Sequence, residues 1–256
     1  MTNPDPTTAD PSPTANPWAT VTRWLVVVNV AIFVLDYFVL RIPMAYVTNG
    51  QVIGAADLRH LPAGFSPISP TQPLLAFYGG FTYAPVLGQL QLWRFLTYQF
   101  CHANLEHVVV NVLGLLLAGP IVEEWMGRAR YLLFYLACGI AGPIAHLVLT
   151  LLGIMPFGIW TPLVGASASI YGVLVAAALI APNEPVELLF PPIDVKLRTL
   201  AIVLVGLSLV AVLYNWQNAG GHAAHIGGAM AGYALARWML HRRVPLVPSP
   251  PGRGLG

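Results

Sequence analysis

The chain has 256 residues, 57% of them hydrophobic and 9% charged, with a formal net charge of +2 and a mean hydropathy of +0.69. So apolar a composition excludes an ordinary soluble domain, whose apolar share is about 45–50%, and the small, dispersed charge gives no basis for a nucleic-acid partner. Long unbroken apolar runs, near the roughly 17–25 residues that a spanning helix requires, predict an all-α polytopic membrane protein rather than a barrel.

In chain order, residues 1–17 are rich in Pro, Thr, Asp and Asn and are expected to form a disordered tail. Residues 24–40 are the first apolar run. It carries Asn29 and Asp36, lacks a small-residue cleavage site and predicts an uncleaved spanning helix. Residues 41–104 are mixed and Pro/Gly-rich, with apolar patches too short to span, and predict a long first loop partly embedded in the membrane. Five further helices are expected at about 105–121, 131–152, 163–180, 197–216 and 223–240, separated by short connectors holding Gly, Pro or charge. Together these form one membrane domain over 18–241, followed by an Arg/Pro/Gly-rich flexible tail at 242–256. Cys101 and Cys138 lie in or beside apolar runs and are packing residues, not a disulfide framework.

The twelve basic residues divide unequally between the two sides of such a six-helix bundle. Arg23, Arg128, Arg130, Lys196, Arg198, Arg237, Arg242, Arg243 and Arg253 fall on one side, and only Arg41, Arg59 and Arg94 on the other. Nine against three places both termini in the cytoplasm.

That orientation brings three polar clusters to one depth. Ser167, a few residues into the expected fourth helix, lies near the outer face; His222 and His225 begin the sixth helix there, and His102, His107 and Asn111 begin the second. A polar cluster inside a membrane points to function. A serine hydroxyl needs a base to become a nucleophile, which makes Ser167 and His225 the natural pair. Backbone N–H groups at the start of the fourth helix, with His107 and Asn111 four apart on one helix face, are placed to donate to a tetrahedral oxyanion. Gly228 and Gly232 share a face with His225, and small residues there, facing Gly165 and Gly172, permit close helix packing. Tyr171 lies on the Ser167 face, able to pack on an imidazole ring. No Asp or Glu lies in the outer half of the fourth or sixth helix, so the sequence permits a Ser-His dyad rather than a triad.

These residues resemble the rhomboid intramembrane serine proteases. The matching pieces are Trp93-Arg94, His102-x4-His107-x3-Asn111, Glu123-x3-Gly127, Gly165-Ala166-Ser167 with Tyr171, and Ala224-His225-x-Gly227-Gly228, in the family's order across about residues 20–241. The resemblance implies Ser167 as nucleophile, His225 as base, His107, Asn111 and the Ser167 amide in the oxyanion hole, and Tyr171 stacked on His225. It implies single-span transmembrane protein substrates cut in or near the bilayer without metal or other cofactor, and points to a bacterial plasma membrane. One departure is plain: the family's usual Gly-x-Ser-Gly is Gly-x-Ser-Ala, so Ala168 adds a methyl group beside the nucleophile.

Blander readings exist for each residue alone. A membrane serine ordinarily bonds back to a carbonyl one turn earlier, which is the reading kept for Ser169. His225, His107 and Asn111 also suit interhelical hydrogen bonding, Tyr171 an interfacial anchor, and Arg94 and Glu123 a structural role in holding loops. His222 either faces the His225 cavity or caps its helix, and His146 has no evident partner at its depth. Two other classes compete: a membrane metal or haem protein liganded by His102, His107, His222 and His225, and an inactive rhomboid-like protein that binds transmembrane helices without cutting them.

Overall fold

A computed structural model describes residues 20–43, 46–48, 51–53, 71–155, 162–189, 192–216 and 218–243. The expected tail at 1–17 lies outside these, as does most of the expected tail at 242–256. Arg242 and Arg243 themselves continue the last helix.

Helix α1, Val21–Val34, opens on Thr20, whose hydroxyl accepts from the Arg23 N–H, and runs into a π-helical turn at Leu35–Val39. In its described residues the first loop is more structured than its composition suggests. It holds the short antiparallel pairs β1 (Arg41–Pro43) with β4 (Thr71–Pro73) and β2 (Tyr46–Thr48) with β3 (Gln51–Ile53). Helices α2 (Leu74–Gly79), α3 (Tyr83–Gln89) and α4 (Arg94–Thr97) follow. Two charged side chains fasten it. Asp36 accepts from the Leu75 and Ala76 N–H groups at the start of α2, and Arg94 donates to the carbonyls of Phe77 and Gly80.

Helix α5, Leu105–Met126, is capped by Asn104, whose side chain accepts from the His107 N–H at 2.8 Å. It ends at Gly127, whose φ of +81° is open to glycine at little cost and lets α6, Arg128–Leu151, begin at the next residue. Glu123, near the end of α5, accepts from the N–H groups of Val21 and Thr22, placing a carboxylate at the positive end of α1. Helix α7, Ser167–Ile180, follows, then the hairpin β5 (Pro185–Leu189) and β6 (Pro192–Lys196), then α8 (Leu197–Leu213) and α9 (Ala219–Arg243).

Val21–Val39, Leu105–Met126 and Arg128–Leu151 are long and apolar enough to cross a membrane; α7 and α8 are apolar but shorter. Their outer faces carry large apolar side chains in the open, among them Phe38, Leu133 and Ile202 at 70%, 68% and 71% exposure, as lipid contact requires and water does not favour. The protein is an integral membrane protein.

Helix α7 is central, packing against α5, α6, α8 and α9. Its residues Gly172, Val173 and Ala176 are buried, and the approach of α9 is close enough that a Cβ on Gly228 would overlap the Ala168 carbonyl. Gly232 lies likewise against Gly172, where a Cβ would come within 2.5 Å of the Gly172 Cα. The expected Gly228 and Gly232 packing face is therefore present, with Ala168 and Gly172 opposite it. Gly165 does not belong to that face.

Candidate active site

Ser167 is the first residue of α7, not several residues inside it. The expected start at 163 fails because Leu163 pairs with Phe81 through two backbone hydrogen bonds of 2.8 and 2.9 Å. Gly165 then takes φ +115°, a conformation that L side chains rarely adopt, and its N–H donates to the Tyr98 carbonyl. A helix cannot pass through that geometry. The consequence is chemical: the intrahelical bonds of α7 begin with the Ile170 N–H to the Ala166 carbonyl at 3.0 Å, so the N–H groups of Ser167, Ala168 and Ser169 stand ahead of them at the positive end of the helix.

From α9, His225 brings Nε2 to 2.8 Å from Ser167 Oγ. The ring lies on that of Tyr171, with centroids 4.2 Å apart and planes 13° from parallel. Both rings and Ser167 are half-buried. The close approach of α7 and α9 at Gly228 sets this distance, because a larger side chain one turn below His225 would hold the two helices apart.

His107 reaches the same place from α5. A Cβ on Gly165 would lie 2.5 Å from His107 Nε2, so the ring occupies the space that the glycine leaves. Gly165, expected to serve helix packing, instead admits His107 two residues before the serine. Asn111 is buried on the same helix, but its Nδ2 donates to the His107 carbonyl at 2.7 Å and its Oδ1 has no hydrogen-bond partner. The structure thus brings His107 to the serine turn and leaves the Asn111 amide within its own helix.

His222 lies against His225 and Ser208 rather than capping α9. It stands edge-on to His225, with centroids 5.3 Å apart and planes at 84°, and its Nδ1 is 3.2 Å from Ser208 Oγ. Ser208 is the residue that sequence reasoning missed. Fully buried in the middle of α8, its Oγ lies 3.4 Å from His225 Nδ1 and donates to Tyr171 Oη at 3.3 Å. The available signal was one serine in the otherwise apolar stretch 200–213.

Two of the remaining polar groups tie the first loop to the bundle. Ser169 donates to Gln99 Oε1 at 2.8 Å, not back to its own helix. His146 does have a partner: its Nδ1 pairs with the Tyr83 hydroxyl, and the two rings stack 5.3 Å apart, tying α6 to the first loop. His102 is buried beside His107, ring centroids 5.2 Å apart, and burial pushes its pKa down to about 4, so the ring is neutral. Among the described residues no three His, Cys, Asp or Glu side chains form a metal-ligating group. His102, His107, His222 and His225 are not gathered as a ligand set.

Ala168, the departure from the usual Gly-x-Ser-Gly, is buried at 1% exposure within a cluster that includes Tyr98, Leu163 and Ala224. A Cβ on Gly142 would lie 2.8 Å from the Ala168 methyl, so the absence of a side chain at Gly142 makes its room. The methyl packs toward Gly142 of α6 and Ala224 of α9.

Residues 89–243 match the Rhomboid domain family. The chain is similar to Rhomboid protease GluP of Bacillus subtilis (strain 168), 32% identical over 166 residues, 65% of this chain and 29% of that protein. It is also similar to Rhomboid-like protease 3 of Toxoplasma gondii, 27% identical over 195 residues, 75% of this chain and 67% of that protein. Rhomboid-related protein 3 of Homo sapiens is 32% identical over 163 residues, 60% of this chain and 37% of that protein. The chain thus spans less than a third of the Bacillus protein and about two thirds of the Toxoplasma one. With the family's domain matched over more than half its length, the chain belongs to the rhomboid family.

Proposed function

We propose that the protein is a serine-type endopeptidase that cleaves single-span transmembrane proteins near the outer face of a bacterial plasma membrane, using Ser167 and His225. The observation that carries this reading is the 2.8 Å separation of Ser167 Oγ from His225 Nε2, at the first turn of a buried helix.

In this mechanism His225 Nε2 takes the Ser167 proton as Oγ attacks the scissile carbonyl. The new oxyanion accepts hydrogen bonds from the first-turn N–H of α7 and from His107. His225 then returns its proton to the leaving amine as the C–N bond breaks, and water hydrolyses the acyl-enzyme by the same route. For Nε2 to accept, the neutral imidazole must carry its hydrogen on Nδ1. Ser208 Oγ is the acceptor for that N–H; its own hydrogen goes to Tyr171, and a second lone pair takes a hydrogen from His222. A neutral hydroxyl thus stands where a carboxylate stands in a triad, and it holds the tautomer without adding charge. Tyr171 fixes the plane of the ring.

The same reading makes residues 18–241 one protease domain of six spans with both termini in the cytoplasm. Nine of the twelve basic residues then lie on the cytoplasmic side. Helix α7, at 14 residues, is about 21 Å long, so the chain before it dips into the outer half of the bilayer and the serine turn lies within reach of water.

Covalent labelling tests the proposal. A fluorophosphonate should modify Ser167 in the purified protein, and His225→Ala should abolish the modification because an unassisted hydroxyl is inert. Labelling unchanged by His225→Ala, or confined to other residues, would sink the dyad.

A further inference from the structure

At the other end of α9, a groove of ≈ 530 Å³ combines an apolar wall with fixed positive charge. Helix α6 lines it with Arg130, Leu133 and Phe134, and α9 with Trp238, Met239 and Arg242. On each helix the three residues are spaced so that the arginine shares a face with the two apolar side chains. The helices run antiparallel, since Gly227 of α9 lies against Ala141 and Ala145 of α6 while Arg242 and Arg130 line the same groove. Both guanidinium groups therefore close the same end of the groove. Arg242 is held in place by Trp238, its Cζ 4.1 Å from the ring centroid. Leu133 and Trp238 remain 68% and 53% exposed, so the groove opens sideways from the bundle, and among the described residues no acidic side chain lines it.

A purely apolar groove on a membrane protein accepts any acyl chain. Two arginines from separate helices, on the same faces as the apolar residues, require a ligand with a negative head and an apolar tail. We infer that this groove binds an anionic phospholipid, its phosphate held by Arg130 and Arg242 and an acyl chain laid along Leu133, Phe134 and Met239. Guanidinium groups suit phosphate because they donate two parallel hydrogen bonds to it, and a basic pocket between membrane helices is where such headgroups bind. Arg242 lies 17 residues beyond His225, about 25 Å along the helix, so the inference does not depend on the proposed catalysis.

The test uses the full chain purified in a neutral detergent, with phosphatidylglycerol or phosphatidylcholine of identical chains added. Retained lipid is counted by native mass spectrometry, with the unfolding midpoint as a second readout. Phosphatidylglycerol should be retained on the order of ten- to thirtyfold more tightly, and should raise the unfolding midpoint where phosphatidylcholine does not. Arg130→Gln with Arg242→Gln should erase the preference. Arg128→Gln with Arg237→Gln removes as much charge from outside the groove and should preserve it. Equal retention of the two lipids by the unmodified protein overturns the inference without any variant. So does a preference that survives the groove substitutions, or one lost equally in the control, which would reduce these arginines to a diffuse surface charge.

Discussion

The ring of His225 lies on the ring of Tyr171, 4.2 Å between centroids and 13° from parallel, so the imidazole that meets Ser167 can turn only by sliding off an aromatic face. An aromatic pair of this kind is worth about 0.5–1.5 kcal/mol. Tyr171→Ala should therefore slow turnover roughly three- to tenfold, whereas Tyr171→Phe, which keeps the face and loses only the hydroxyl bonded to Ser208, should stay nearer the wild type. Steady-state rates on one substrate decide it, and equal rates for both variants would show that stacking does not orient the base.

Ser208 supplies a second constraint on the same ring, from the opposite nitrogen. A neutral hydrogen bond contributes about 1 kcal/mol, so Ser208→Ala should lower kcat about fivefold with KM unchanged, and Ser208→Thr should restore most of the loss. A change in KM alone would assign Ser208 to packing.

The oxyanion donors should differ in effect. His107 adjoins the serine turn at Gly165, while the Asn111 amide is engaged with the His107 carbonyl. Removing a direct donor typically costs on the order of 10²–10³ in kcat. His107→Ala should show a loss of that size, and Asn111→Ala a smaller one exerted through the position of the α5 backbone. The reverse order would make Asn111 the direct donor and require its side chain to leave His107.

Much of this site was legible before folding because it is written in short spacings on separate helices. His107 and Asn111 share a face by their separation of four, and Ser167 and His225 each lie near the start of a helix that a six-span reading begins on the same side. What was not legible depends on a partner from elsewhere in the chain. A lone Ser208 in an apolar helix looks like a packing hydroxyl until α9 brings two histidines to it. His146 looked unpartnered because Tyr83 belongs to a loop without periodicity, and Gly165 looked like a packing glycine because its backbone angle is set by Leu163 pairing with Phe81. Apolar run length marked the long helices well, and could not mark the short helices and strands of the first loop, which polar caps such as Asp36 and Arg94 hold.

Gly228 should prove the least tolerant position of α9. A Cβ there meets the Ala168 backbone, which cannot move aside as a flexible side chain would. Gly228→Ala should cost about 1–3 kcal/mol through overpacking and separate Ser167 from His225, so thermal stability in detergent and fluorophosphonate labelling should fall together. Ala168→Gly, by contrast, should cost about 1 kcal/mol in helix propensity and leave labelling intact, since the methyl packs toward Gly142 and Ala224. Stable, fully labelled Gly228→Ala protein would contradict the role given to this contact.

Under the proposed function, Ser167 and His225 cut a peptide bond near the outer end of a substrate's span. This is tested most directly by incubating the purified protein with a single-span substrate of known orientation, beside Ser167→Ala, and sequencing the products. Cleavage is expected from the wild type alone, at small or helix-breaking residues near the outer boundary, because a substrate helix must unwind locally to present its carbonyl and glycine eases that by about 1 kcal/mol relative to alanine. Cleavage that persists in Ser167→Ala, or cuts clustered at the cytoplasmic end of the span, would contradict it.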